Sequence, residues 1–207
     1  MERSLHDGRG RRKYLLPAEV QQFLRAALRI GGETATYCAV LAFAGARTSE
    51  VLKLTAERID ETERTITFRT LKKRGKIVDR TLPVPRELLN YLDAVHHFHA
   101  AKLNPATAQA RLWEFSRSTA WRRVKQVMAF TSIPSHLRTG RALRHALGAG
   151  SRMKGIDIEM IREWLGHTDI KTTAIYSTVV GQEARTLFSR VSQPLTRIIA
   201  ASTYREP

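Results

Sequence analysis

The spacing of apolar residues changes along this chain, and the change restricts the folds open to it. In most segments apolar side chains recur every three or four residues, as on one face of a helix. Between residues 65 and 84 they alternate with polar ones, as in a strand, and Pro83 and Pro85 close that stretch. We therefore predict a mainly α fold with a small antiparallel β-sheet (α+β), either a hairpin or three strands.

Local signals predict several helix positions. Pro17 suits the first turn of a helix, and segment 34–45 is apolar nearly all round, which predicts a buried central helix. Thr48 or Ser49 is expected to cap a short following helix, and Ser118 a later one. Further helices are predicted near 88–95, 140–149, 157–166 and 182–192.

Composition limits the class of protein. The 207 residues carry a formal net charge of +16, which predicts a polyanionic partner, although charge alone does not separate DNA, RNA and anionic membrane. Cys38 is the single cysteine, so a disulfide framework is excluded. The longest apolar run, Tyr37–Ala46, is too short to span a bilayer, and residues 1–13 lack an apolar signal region. We expect no membrane association and a cytoplasmic location.

The chain is expected to divide into three parts. We predict a basic flexible arm at residues 1–13, one catalytic domain at residues 14–193 and a C-terminal tail at residues 194–207.

A group of cationic and phenolic residues suggests phosphoryl transfer. Arg47 and Arg144 can hold phosphate oxygens with two hydrogen bonds each, and Lys72 can protonate a leaving alkoxide. His167 can hydrogen-bond the phosphate, and Tyr176 can act as the nucleophile. The sequence has no acidic cluster with the spacing of a Mg²⁺ nuclease site, which favours covalent catalysis by Tyr176 and predicts no cofactor.

These residues lie in motifs that resemble those of the tyrosine recombinases and phage-type integrases. The resemblance covers about residues 14–190. It rests first on an arginine motif (Ala44–Leu52) and on a lysine in a strand-turn-strand (Lys72), whose second strand contains Arg80-Thr81-Leu82-Pro83. It rests also on an Arg-Ala-Leu-Arg-His box (Arg141–His145) and on the closing pair Leu165-Gly166-His167 and Thr172–Tyr176.

The resemblance implies a mechanism. Tyr176 would attack the scissile phosphate of double-stranded DNA and form a 3′-phosphotyrosyl link, while Arg47 and Arg144 hold the non-bridging oxygens. Lys72 would protonate the 5′-hydroxyl and His167 would hydrogen-bond the phosphate, without metal or ATP. Strand exchange would use four protomers on two DNA sites, with a monomer in solution, near the bacterial nucleoid or a mobile element.

Two features depart from the family pattern. Arg141 stands where the first histidine of the box is expected, and it is included in the predicted catalytic set. Only the short arm precedes Leu15, so the family's N-terminal DNA-clamping domain is expected to be either naturally absent or removed.

Several assignments stay open. Lys73 competes with Lys72 as the proton donor, since neighbouring residues face opposite sides of a strand. The three tryptophans, Trp113, Trp121 and Trp164, are expected in the core. The rival functions are a type IB topoisomerase, a non-catalytic DNA-binding regulator and an RNA-binding protein. The residues predicted to contact DNA are Arg11, Arg12, Lys13, Lys73, Arg74, Arg122, Arg123, Lys125 and His145.

Overall fold

A computed structural model of the chain describes residues 4–71, 77–167 and 170–177. Across these residues the structure consists of α-helices and one small sheet, which confirms the predicted mainly helical α+β class. The predicted helix at 182–192 and the tail at 194–207 lie outside the described residues. The helices are α1 (Pro17–Ile30), α2 (Gly32–Ala44), α3 (Thr48–Val51), α4 (Arg86–His96), α5 (Phe98–Lys102), α6 (Pro105–Ala108), α7 (Arg117–Ala129), α8 (Gly140–Met153), α9 (Ile158–Leu165) and α10 (Ile170–Thr173).

The sheet is antiparallel, with three strands in chain order. Ile66, Phe68 and Leu82 are buried on one face, because alternate residues of a strand point to the same side. The predicted small antiparallel sheet is confirmed, in its three-stranded form. The strands are β1 (Ile59–Asp60), β2 (Thr65–Leu71) and β3 (Ile77–Pro83), and β2 pairs with β3 from Thr65 opposite Pro83 to Leu71 opposite Ile77.

Helix α2 lies at the centre of the main core. Residues 34–42 are buried without interruption, and α2 packs against α1, α4, α7 and α8. A helix that is apolar nearly all round is stable only when neighbours cover every side. The predicted buried central helix is confirmed.

The predicted helix caps were wrong at two places. Helix α3 begins at Thr48 itself and takes Arg47 as its N-cap, and the backbone N–H of Arg47 donates to Glu50 Oε2 at 2.9 Å. Helix α7 is capped by Ser116, whose Oγ accepts a hydrogen bond from the Thr119 backbone N–H at 3.1 Å. In both cases several polar residues stood close together, and the backbone path decided which one could reach the free N–H groups.

The tryptophans do not share one environment. Trp113 is buried as predicted, and its Nε1 donates to Glu33 O at 3.1 Å. Trp164 is half-buried against the main core. Trp121 is 54% exposed, so its predicted core position was wrong. Helix α7 turns it outward, and Lys125 Nζ lies 4.8 Å from its ring centroid.

Residues 4–13 form a folded turn where the sequence predicted a flexible arm. His6 and Arg12 form an antiparallel bridge, and Asp7 accepts hydrogen bonds from the backbone N–H groups of Arg9 and Arg11 at 2.9 Å. Leu5 is only 2% exposed. Burial of this one apolar side chain anchors the turn to the domain, which charge and glycine content did not reveal.

A second, smaller apolar cluster lies beside the main core and contains the predicted nucleophile. It joins the N-terminal turn to α8, α9 and the end of the described chain, through Leu5, Tyr14, Ala149, Ile161, Leu165, Ile175 and Tyr176. Across the described parts of the chain, every helix is too short or too polar to cross a bilayer.

Candidate active site

Arg47 lies just after the turn that ends α2. Gly45 has φ +53° there, and a Cβ at that position would come 2.8 Å from Leu147 Cδ2, so the turn requires glycine. The guanidinium of Arg47 donates from Nη1 to Glu50 Oε1 at 2.6 Å, and its side chain stays partly exposed. A buried carboxylate therefore orients this cation while one side of it remains open.

Arg144 is a buried cation of helix α8. Its Nη1 donates to Gly45 O at 2.8 Å and its Nη2 to Leu165 O, which are carbonyls at the C-terminal ends of α2 and α9. Such carbonyls carry the negative end of the helix dipole and suit a cation. Burial, with the charge of Arg47 next, lowers the pKa of Arg144 to about 10, so it stays protonated at neutral pH.

His167 follows the turn that ends α9. Gly166 has φ +62° in that turn, and the buried imidazole of His167 shares a hydrogen bond of 3.0 Å between its Nδ1 and Thr173 Oγ1. Burial, followed by the charges of Arg144 and Arg47, lowers the pKa of His167 to about 3. The ring is therefore neutral at pH 7 and can donate or accept a hydrogen bond without carrying charge.

Tyr176 is 1% exposed, and its hydroxyl is 3.0 Å from His145 Nδ1. Its ring lies directly against Gly148 of α8: a Cβ on that glycine would be 2.6 and 2.7 Å from ring atoms Cε2 and Cε1. Burial raises the pKa of Tyr176 to about 12, although the charge of Arg144 opposes the shift. The phenol is thus protonated and shielded from solvent.

Arg141 and His145 lie on the same helix as Arg144. Arg141 is exposed in the first turn of α8. Burial, then the charges of Arg144 and Arg141, lower the pKa of His145 to about 4. His145 was predicted to contact DNA, but its Nδ1 instead meets the Tyr176 hydroxyl inside the protein.

The structure adds two charged residues, Glu50 and Arg80, for which no role was predicted from the sequence. Glu50 is 4% exposed and accepts hydrogen bonds from Arg47, from Thr70 Oγ1 at 2.8 Å and from Arg80 Nη2 at 2.9 Å. Burial alone would raise the pKa of Glu50, but Arg80 and the hydrogen bonds from Arg47 outweigh it and lower the pKa to about 2. Arg80 occupies an inward position of β3, where a charge needs a partner, and that strand position was the available signal.

Three predicted residues, Lys72, Lys73 and Arg74, lie outside the described residues. They fall in the sequence between Leu71 and Ile77, the last pair in the ladder of β2 and β3.

The sequence pattern of the phage integrase family matches residues 13–183. This chain belongs to the phage integrase family. Tyrosine recombinase XerA of Pyrococcus furiosus is 31% identical over 157 residues, which cover 72% of this chain and 51% of that protein. The chain thus spans about half the length of such relatives.

Two solved structures resemble this phage integrase family member. XerH site-specific recombinase bound to palindromic difH substrate has a TM-score of 0.69 at 18% identity, covering 86% of this chain and 52% of that one. The catalytic domain of bacteriophage HP1 integrase has a TM-score of 0.58 at 22% identity, covering 86% and 93% respectively. These similarities establish the recombinase catalytic-domain fold.

The basic residues near the N-terminus of this integrase family member differ in their availability. Arg11 is exposed and pairs with Asp7 at 2.8 Å. Arg12 is half-buried and donates to both carboxylate oxygens of Glu19, so its charge is already balanced within the protein. Lys13 Nζ donates to Ser4 O at 3.1 Å.

Helix α7 presents a second basic surface. Arg122 is exposed and donates to Thr119 Oγ1 at 3.3 Å. Lys125 lies over Trp121, and the guanidinium carbon of Arg123 is 5.5 Å from the ring centroid of Phe115. No group of three or more His, Cys, Asp or Glu side chains that could hold a metal ion occurs within residues 4–71, 77–167 and 170–177.

Proposed function

We propose that this chain cleaves and rejoins double-stranded DNA at specific sites through a covalent link between Tyr176 and a 3′-phosphate. The observation that supports it best is the convergence of Arg47, Arg144, His167 and Tyr176, which are far apart in the sequence. Arg144 donates to Gly45 O and to Leu165 O, two residues before Arg47 and His167 respectively. Its charge also opposes the raised pKa of Tyr176, an effect that requires proximity.

Each residue has a distinct part in the proposed reaction. The Tyr176 oxygen forms a bond to phosphorus as the bond to the 5′-oxygen breaks, and Lys72 gives that oxygen its proton, with Lys73 as the other candidate donor. Arg47 and Arg144 stabilise the negative charge that builds on the non-bridging oxygens, and His167 hydrogen-bonds one of them. Rejoining reverses these steps. The phosphotyrosyl link retains the energy of the broken bond, so the proposed reaction needs no ATP. Arg47 and Arg144 stabilise the charge on the phosphate oxygens, so it needs no metal.

The described arrangement is a resting one, because the Tyr176 hydroxyl is too buried to meet a phosphate. His145, the nearest proton acceptor, is a poor base there. Burial lowers its pKa to about 4 and raises that of Tyr176 to about 12, so proton transfer from the phenol to His145 is unfavourable. We propose that DNA binding releases Tyr176 towards Arg47 and Arg144. Their charges would favour the phenolate there, and its proton would pass to solvent.

The partner of the proposed reaction is duplex DNA. XerH, whose solved structure contains its DNA substrate, shares the fold. Arg122 is exposed and suited to phosphate contacts, whereas Arg11 and Arg12 are paired with Asp7 and Glu19 respectively. We propose a cytoplasmic protein that is a monomer in solution and assembles as four protomers on two DNA sites for strand exchange.

A nicked duplex that traps the covalent intermediate tests the proposal. The native chain should form an adduct that peptide mapping places at residue 176, and Tyr176→Phe should form none while it still binds the duplex. Tyr91→Phe changes a half-buried phenol of α4 and serves as the matched control. An adduct that persists in Tyr176→Phe would remove the nucleophile from the proposal.

Two further assays separate the rival functions. Relaxation of supercoiled plasmid without a defined site would favour a type IB topoisomerase, and binding with no adduct in the native chain would favour a non-catalytic regulator. Stronger binding to duplex RNA than to duplex DNA would favour an RNA-binding protein.

The proton donor has its own test. A substrate with a 5′-sulfur leaving group needs no protonation, so it should rescue cleavage only in whichever of Lys72→Ala and Lys73→Ala lacks the true donor. Rescue of neither variant would exclude both lysines.

A further inference from the structure

Arg80 is a charged residue in a place that normally holds an apolar one. It is 8% exposed on the inward face of β3, opposite Phe68, and its guanidinium carbon lies 4.9 Å from the Phe68 ring centroid. A cation buried in this way is costly unless several partners compensate it. The partners of Arg80 therefore indicate why it is there.

The guanidinium of Arg80 joins two separate elements of the site. Nη2 donates to Glu50 Oε2 at 2.9 Å, and Nη1 donates to the carbonyl oxygen of Trp164 in the last turn of α9. The alkyl stem of Arg80 passes beneath Gly166, where a Cβ would lie 2.6 Å from Arg80 Cδ. A planar guanidinium fixes the directions of both hydrogen bonds at once, which a lysine cannot do.

Each of those two elements carries a residue of the proposed reaction. Glu50 binds both the backbone N–H and the guanidinium of Arg47. On the other side, Trp164 and Gly166 belong to the turn that ends α9, and His167 follows at once. Arg80 thus lies behind the site as the link between the Arg47 turn and the His167 turn.

Resting on the function proposed above, we propose that Arg80 is a positioning residue that sets the distance and orientation between Arg47 and His167. Arg80 acts through Glu50 and through the carbonyl of Trp164, and it does not contact the DNA. Its loss leaves the reacting groups present but misplaced. A displacement of about 1 Å lowers a reaction rate by about 10²-fold.

The test compares Arg80→Met with Leu82→Ala. Methionine keeps most of the stem and removes both hydrogen bonds. Leu82 is buried two residues further along the same strand, so Leu82→Ala weakens the sheet and keeps the link. At a temperature where both variants are folded, Arg80→Met should lower single-turnover cleavage by about 10²-fold, with DNA affinity within about twofold of the native chain. Equal rates in the two variants would overturn the proposal.

A double-mutant cycle identifies the route of the effect. If Arg80 acts through Arg47, the loss in Arg80→Met with Arg47→Ala should be much smaller than the product of the two single losses. If the rate loss in the double variant instead equals the product of the two single losses, Arg80 does not act through Arg47. Relative to Arg80→Met, Arg80→Lys should restore thermal stability but not the cleavage rate. One ammonium group cannot hold both Glu50 and the Trp164 carbonyl in their native directions. Recovery of both stability and rate would reduce Arg80 to a merely structural role.

A readout without catalysis keeps this inference separate from the proposed function. In NMR spectra of the free protein, both Arg80→Met and the charge-preserving Arg80→Lys should shift the guanidinium Nε–H signal of Arg47 and the imidazole signals of His167, and Leu82→Ala should leave them in place. If the native chain forms no adduct but these shifts occur, the reaction is wrong and the positioning is right. Unshifted signals in Arg80→Met would refute the positioning whatever the activity.

Discussion

The contact between Tyr176 and Gly148 predicts that one added methyl group will release the nucleophile. In Gly148→Ala the new Cβ would lie 2.6 and 2.7 Å from Tyr176 Cε2 and Cε1, so the ring must move. A buried tyrosine covers about 150–250 Å², worth roughly 4–6 kcal/mol at about 25 cal/mol/Å². Because α8 is intact whether Tyr176 is buried or released, the helix propensity of alanine does not alter this balance. The free energy that holds Tyr176 in its buried site should therefore fall by up to roughly 4–6 kcal/mol.

Nitration by tetranitromethane, followed by peptide mapping, measures that release, since the reagent needs an accessible phenolate. The buried, high-pKa phenol of the native chain should react slowly, and Gly148→Ala should react at least about tenfold faster at residue 176. Each 1.4 kcal/mol or so corresponds to about a factor of ten, so the loss of free energy that holds Tyr176 in place would permit a nitration rate increase well above tenfold. We also expect faster adduct formation on the nicked duplex.

Gly150→Ala is the matched control for this experiment. It adds the same methyl group to the same helix, where nothing lies within 4 Å of the new atom. It should gain helix propensity and leave the nitration rate unchanged. If folded Gly148→Ala reacts at residue 176 no faster than Gly150→Ala, the buried site for Tyr176 is wrong.

Three other predictions follow from the charged residues. The folded-state pKa of Glu50 is about 2 against an ordinary 4.5, so its contribution is complete above pH 4.5 and is lost as pH falls towards 2. Denaturant unfolding should show a loss of roughly 3 kcal/mol across that window, and the same loss in Glu50→Gln would contradict the assignment. Arg144→Ala should lower adduct formation by at least about 10²-fold; native activity would exclude its part in the reaction. DNA affinity should fall steeply with salt, and Arg122→Gln should reduce the log–log slope by about 0.9. Arg12→Gln should leave the slope unchanged, because Glu19 already balances Arg12; equal slope changes would refute this distinction.

Local patterns in the sequence were sufficient for the main elements of the fold. The apolar run at 34–45 predicted a buried helix, and the alternation at 65–84 predicted paired strands, because each pattern reflects the geometry of a single element. The errors occurred where neighbouring residues competed for one role, as Ser116 and Ser118 did for the cap of α7. Trp121 was misplaced because size and hydrophobicity do not show which way a helix turns its side chains.

The sequence by itself determined the family, the order of the elements and the residue types of the site, since these depend on short motifs and on spacing along the chain. Only the tertiary structure decided that Tyr176 lies buried against Gly148. It also decided that Leu5 anchors the predicted arm, and that Arg80 ties Glu50 to the turn before His167. These contacts join residues that are far apart along the chain. Their distances depend on how whole helices and strands pack, which no local pattern records.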